Sequence, residues 1–375
     1  MLNRKKTAFI WDDAYADHNA GDGALFEPAG GYVEATGSVE SPESKRRVKE
    51  LLRKSGLMNE LYLLRPSFAT TEQLQYFHTL DHINRVKEMS QIGGLDCGDS
   101  AIVGKGSYEI AKLSTGGAMT AVRAVVTNPK VKNAYALTRP PGHHAEADQG
   151  MGFCIFNNVV VATRYAQKEL ETGRIAIIDW DAHHGNGTED AFYEDDSVLF
   201  ISLHQDNLEP IGRGKVEDAG RGEGEGYTIN VPLPPASGDA VYQYAFEKIV
   251  IPAIDKFSPE LILISAGQDA SMFDPLARMM LTAGGYRYMT KELKKLAEKH
   301  AEGHLVAVHE GGYCPTYVPF CSHAIIEELS GIKTDVGDPF IYAMAGTGYD
   351  QLLPHQKEQV DQVREHHQKL NKGLI

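Results

Sequence analysis

A chain of 375 residues with 42% hydrophobic and 23% charged positions has the make-up of a soluble globular protein with a large core. Its 37 Lys+Arg against 51 Asp+Glu leave a net charge of −14. That charge repels phosphate backbones, arguing against nucleic acid as a direct partner, and attracts cationic substrates. No apolar run approaches the roughly 18 residues of a membrane span, and the stretch after Arg4-Lys5-Lys6 ends at Asp12, too soon for a signal peptide. Four cysteines without a C-x-x-C fit a reducing compartment, so the cytoplasm is the expected location.

In chain order, short β-branched apolar runs predict strands at 7–11, 134–138, 174–179, 197–203, 260–266 and 304–309. Helix-period segments separate most of them. Ser41-Pro42 opens one, with Ser as N-cap and Pro at the first turn, and Gly56 closes it. Its basic cluster, Lys45, Arg46, Arg47 and Lys49, is read as a solvated face. Further helices are predicted at 71–91, 107–127, 157–171, 239–257 and 283–301. Such alternation predicts a parallel sheet with helices on both faces. Irregular loops at 13–28 and 207–226 are candidate rims of a site. From Asp350 onward, Leu353, Val360, Val363 and Leu370 recur at helical spacing, for a helix that packs on the body or joins subunits.

Two motifs carry most of the chemistry. In IDWDAHHGNG (178–187), Asp181 and His183 follow a predicted strand, where parallel sheets place their ligand crevice. A carboxylate and an imidazole there are half of a metal site. Asp269 is a third candidate ligand after another strand, and Gly311-Gly312-Tyr313 follows a third. In RPPGHHA (139–145), His143 and His144 stand on a turn where two imidazoles can face one pocket as base and acid.

With MGFCIFNN (151–158), ISLHQ (201–205), GYTINVPLP (226–234), DASMFDPLARM (269–279) and HEGGY (309–313), residues 7–332 resemble the bacterial class II histone deacetylase family. That group includes the histone deacetylase-like and acetylpolyamine amidohydrolases of the arginase/deacetylase superfamily. The resemblance implies a three-layer α/β fold with a central, mostly parallel sheet flanked by helices. We read one domain over 1–375, with 350–375 as a helical tail. The implied activity is zinc-dependent removal of acetyl groups from acyl-lysine or small acetylated amines. One Zn²⁺ would be held by Asp181, His183 and Asp269, leaving a coordination position open. His143 and His144 would be the paired active-site histidines, hydrogen-bonded by Asp179 and Asn186, whose different charges would split their basicities. Tyr313 would donate to the developing oxyanion. Gly152, Phe153 and Gly312 match the lining of the acyl tunnel. The resemblance further implies K⁺ at Asp179, Asp181, His183, Ser202 and Leu203, with a second site near Phe192, Asp195, Val198 and Tyr227. A homo-oligomer is expected. Cys154, inside MGFCIF, is read as a small core residue.

Two positions depart from the pattern. Glu209 stands where many relatives have an aromatic tunnel wall, and a carboxylate there would greet a cationic acetylpolyamine. Gln268 replaces a Phe before Asp269. Leu276 argues the other way, because polyamine specialists would be expected to carry a carboxylate there. An arginase-like two-manganese ureohydrolase would need a second D-x-D pair, but Ala270-Ser271 follow Asp269. A non-catalytic acyl-lysine binding module would not need Tyr313, both histidines and all three ligands.

Overall fold

The computed structural model describes residues 6–24, 27–370 and 372–375. Eight strands form one wholly parallel sheet. From edge to edge the order is Thr228–Leu233, Val198–Gln205, Ile175–Asp179, Leu261–Ala266, Leu305–His309, Asn133–Ala136, Thr7–Ile10 and Tyr62–Leu64. The central strands are apolar on both faces because both are covered, as parallel sheets require. Alternation assigns the layers. Ala176, Ile178, Ile262 and Ile264 join one core cluster, while Ile175, Ile177, Leu261 and Leu263 join the other. Helices Glu43–Lys54, Ala283–His300 and Val318–Ser330 feed the first cluster, and Leu80–Ile92, Ser107–Thr127 and Asn158–Glu169 the second. This is the predicted three-layer α/β architecture.

All six predicted strands form, within a few residues of their expected ends. Two more, Tyr62–Leu64 and Thr228–Leu233, were not predicted. Both are edge strands, and the second tolerates Pro232 for that reason. Ser41 does not cap the first helix: Pro42 occupies the N-cap, with no side-chain hydrogen bond. The expected helix over 71–91 breaks into Thr71–Leu74 and Leu80–Ile92. Thr79 there accepts from His82 N at 3.2 Å, and a Thr at an N-cap favours a new start over continuation. The 239–257 helix contains a π-helical segment, Phe246–Val250, just before Pro252, which lacks an N–H for the regular ladder.

The tail forms helix Pro354–Gln368 and packs on the body. Val360 and Val363 are fully buried in the first cluster against the Thr228–Leu233 edge, which the helix shields. All four cysteines are free, and Cys154 is buried as expected. Among the described residues no helix is long and apolar enough to cross a membrane.

Candidate active site

Short side-chain turns at the carboxyl end of the Ile175–Asp179 strand build the first half of the site. Asp179 Oδ1 accepts from Asp181 N at 3.1 Å, and Asp181 Oδ1 accepts from His183 N at 3.0 Å. Aspartates favour such local turns, which swing alternate side chains into the crevice. Asp269 arrives from the neighbouring Leu261–Ala266 strand, and its Oδ1 accepts from Ala182 N at 2.8 Å. Asp181, His183 and Asp269 are buried, with one donor atom from each lying within 4.8 Å of the others. His183 Nδ1 is 3.1 Å from Asp181 Oδ1 and 3.0 Å from Asp269 Oδ2. Gly311 N donates to Asp181 Oδ2 at 2.9 Å. Any Cβ at Gly311 would fall 2.3 Å from Asp269 Oδ2 and 2.6 Å from Asp181 Oδ2, so this cradle demands glycine.

Burial opposes charge on His183, yet its bonds to Asp181 and Asp269 push it up to about 10. Burial and the Asp181 charge push Asp269 up to about 8. Asp181, His183 and Asp269 thus form a group that could hold a metal ion.

The second half is the His143–His144 pair, whose ring centroids are 4.0 Å apart. His143 Nδ1 lies 3.0 Å from Asp179 Oδ2, and His144 Nδ1 lies 2.8 Å from Asn186 Oδ1. Burial disfavours charge on both. On His143, Asp181 and Asp179 outweigh it and push the ring up to about 10. On His144, burial together with His143 and His183 holds the ring well below its ordinary value. The two rings are thus pushed apart in basicity, by Asp181 and Asp179 on one and by burial with the His143 and His183 charges on the other. Gly152 lies flat against His144, where a Cβ would be 2.6 Å from Cδ2.

Phe153, Leu276 and Tyr313 form a small apolar cluster beside these groups, with the Phe153 and Tyr313 rings 5.6 Å apart. Gly312 (φ +126°) turns the chain between the cradle and Tyr313. Glu209 stands outside this cluster. It is exposed, and its Oε2 accepts from Ile211 N at 3.1 Å. Gln268 is wholly buried and accepts from Ser322 Oγ at 3.2 Å, so it belongs to a core polar network.

Of the expected potassium groups, Ser202 lies opposite Asp179 in the sheet register beside Leu203, next to the Asp181–His183 turn, and Ser202 Oγ is 2.9 Å from His204 Nδ1. In the second group Asp195 Oδ2 is engaged by Arg164 at 2.6 Å, whose guanidinium lies 4.5 Å from the Phe192 ring centroid. Val198 heads its strand, and the Tyr227 carbonyl accepts from Phe200 N at 2.9 Å.

Sequence reasoning missed four supporting residues. Glu310 Oε2 accepts from Gly142 N at 2.6 Å and His143 N at 3.2 Å, pinning the histidine turn. Burial pushes its carboxyl up to about 7. Asp274 accepts from Tyr313 N at 2.7 Å and Leu276 N at 2.9 Å, tying two walls together. Lys45, read as solvated, is fully buried. Its Nζ is 3.4 Å from Glu40 Oε1 and 5.7 Å from the Tyr313 ring centroid. Glu40 also pairs with buried Arg139 at 2.9 Å. The signal for Lys45 was its spacing with Val48 and Leu52, which puts it on the inner stripe of its helix.

Three buried groups that could hold a metal ion thus lie beside an unequally backed histidine pair, at the strand ends of a parallel α/β sheet. Comparison with known proteins places the site further. Residues 38–329 match the model of the histone deacetylase domain. The chain is 48% identical to a histone deacetylase-like amidohydrolase of Pseudomonas aeruginosa over 338 residues, 89% of either chain. It is 39% identical to a probable deacetylase of Archaeoglobus fulgidus, covering 90% of this chain and 96% of that one. A crystal structure of the HDA15 HD domain superposes with a TM-score of 0.81 at 31% identity, over 98% of both chains. The protein belongs to the histone deacetylase family, hydrolases of the arginase/deacetylase superfamily.

Proposed function

We propose that this protein is a zinc-dependent amidohydrolase that removes acetyl groups from acyl-lysine side chains or small acetylated amines. The observation that carries the reading is the convergence of Asp181, His183 and Asp269 on one point beside two histidines of opposed basicity. Asp181, His183 and Asp269 would hold the zinc. Bound there, it would supply Lewis-acid polarisation of the acyl carbonyl and acidify a water.

The chain's own residues do the rest. His144 is held neutral, so its Nε2 accepts the proton of the attacking water. His143 is held cationic by Asp181 and Asp179 and delivers a proton to the departing amine nitrogen. Tyr313 Oη donates to the oxygen on which negative charge develops. The apolar Phe153 and Leu276 flank the acyl-bearing chain and exclude water from the reacting carbonyl. The K⁺ reading at Asp179, Ser202 and Leu203 belongs to the same proposal, as a counter-charge behind the triad. An acidic protein suits amine products. Glu209, exposed and turned to its own backbone, gives only weak preference for polyamines, because exposed pairs contribute about 0–1 kcal/mol.

The test is turnover of a panel of acetyl-lysine peptides and acetylpolyamines by zinc-loaded protein. Acetate release from at least one class is expected. Failure on every acyl-amine, with one zinc bound per chain, would overturn the reading.

A further inference from the structure

The amide behind His144 can sit in two orientations of almost identical shape. Only one of them leaves His144 a base. In the structure Asn186 Oδ1 faces His144 Nδ1 at 2.8 Å, while Asn186 Nδ2 donates to Glu146 Oε1 at 2.9 Å. The same NH₂ makes longer contacts, 3.4 Å to the His144 carbonyl and 3.5 Å to Met151 Sδ. A carboxylate can only accept, so Glu146 must meet the NH₂ end of the amide. The oxygen that remains for His144 can also only accept. The proton of neutral His144 therefore sits on Nδ1, and Nε2 keeps its lone pair. With the amide turned over, NH₂ would meet Nδ1, the proton would move to Nε2, and the ring could not take a proton from water.

We propose that Glu146 is a positioning residue that fixes the tautomer of His144 through Asn186. Asp179 needs no such partner, because a carboxylate presents an acceptor to His143 either way. Glu146 is itself fixed. Gln149 Nε2 donates to its Oε2 at 2.8 Å, and Arg213 Nη1, from the glycine-rich 207–226 loop, lies 4.0 Å from Oε1. Arg213 also pairs with Asp190 and, at 3.6 Å, with Glu189. The rim loop, the histidine turn and helix Asn186–Phe192 thus meet at one carboxylate.

The kinetic part of this inference rests on the amidohydrolase reading; the tautomer part does not. The experiment uses zinc-loaded full-length protein with ¹⁵N-labelled histidine. In wild type, NMR should show His144 only as the Nδ1–H tautomer. Glu146→Met keeps the length and removes the acceptor, so both tautomers should appear. Its kcat should fall roughly tenfold, part of the 10²–10⁴ a general base contributes, with KM changed less than about twofold. Glu146→Gln still offers an oxygen, so it should stay within about threefold of wild type in kcat. A single Nδ1–H tautomer and unchanged kcat in Glu146→Met would overturn the assignment. So would equal loss in Glu146→Gln and Glu146→Met, which would make the charge the active property rather than the acceptor. Absence of turnover in wild type would end the functional reading alone, since the NMR comparison still decides the tautomer.

Discussion

His143 and His144 stand 4.0 Å apart, ring to ring, yet a carboxylate backs one at 3.0 Å and a neutral amide backs the other at 2.8 Å. The two rings thus share one pocket but are backed by groups of different charge, the Asp179 carboxylate and the Asn186 amide.

Making the two backing groups alike should narrow the difference in basicity between the rings. Asn186→Asp puts a carboxylate behind His144 and raises its pKa. A raised base is protonated, and so inactive, up to a higher pH. The acidic limb of the kcat/KM profile should therefore move to higher pH. A pH–rate series checks this, and an unmoved limb would mean that His144 does not supply the base.

Tyr313→Phe keeps the ring against Phe153 and Leu276 and deletes one donor. Loss of one oxyanion donor typically lowers kcat on the order of 10²–10³-fold. Zinc content should be unchanged, because Tyr313 is outside the cradle. A kcat within about threefold of wild type would make the tyrosine a packing residue.

The fold was largely legible from sequence, and the reasons are physical. Runs such as Ile175–Asp179 are apolar on both faces, which only a covered parallel strand tolerates. The ligands were legible because they follow such runs directly. Thr228–Leu233 was not, because Pro232 reads as a strand breaker until its edge position is known. Glu310, Asp274 and Glu146 were not, because their roles depend on backbone and amide groups brought together by the tertiary fold. Lys45 was misread because charge suggests solvent, whereas Glu40, shared with Arg139, lets it be buried. Glu209 matched an alignment position, but its carboxylate turns to Ile211 N.

The buried Glu40 cluster carries a pH signature. Burial opposes its charge, but Arg139 and Lys45 lower its pKa from 4.5 to about 2. A lowered carboxyl stabilises the fold fully above about 4.5, and that contribution disappears as pH falls through about 2. Glu40→Gln leaves two buried cations uncompensated and should cost about 3–5 kcal/mol at pH 7. Denaturant unfolding of both proteins at pH 7 and pH 3 measures this. A variant as stable as wild type at pH 7 would contradict it.

Glu209→Phe tests the rim. Because this carboxylate is exposed, the preference for acetylpolyamines over neutral acetyl-lysine peptides should fall by about fivefold at most, and by less at high salt. Competition assays at low salt read the ratio. A larger change would place Glu209 in direct contact with substrate.

The central claim is one zinc, held by Asp181, His183 and Asp269, doing amide hydrolysis. The most direct test is to strip the protein with a chelator and titrate zinc back while measuring bound metal and acetate release together, in wild type and in Asp269→Ala. Activity should vanish on stripping and return in proportion to metal, saturating at one zinc per chain. Asp269→Ala should recover neither metal nor turnover. Activity that survives stripping, saturation only at two ions per chain, or full zinc retention by Asp269→Ala would contradict the account.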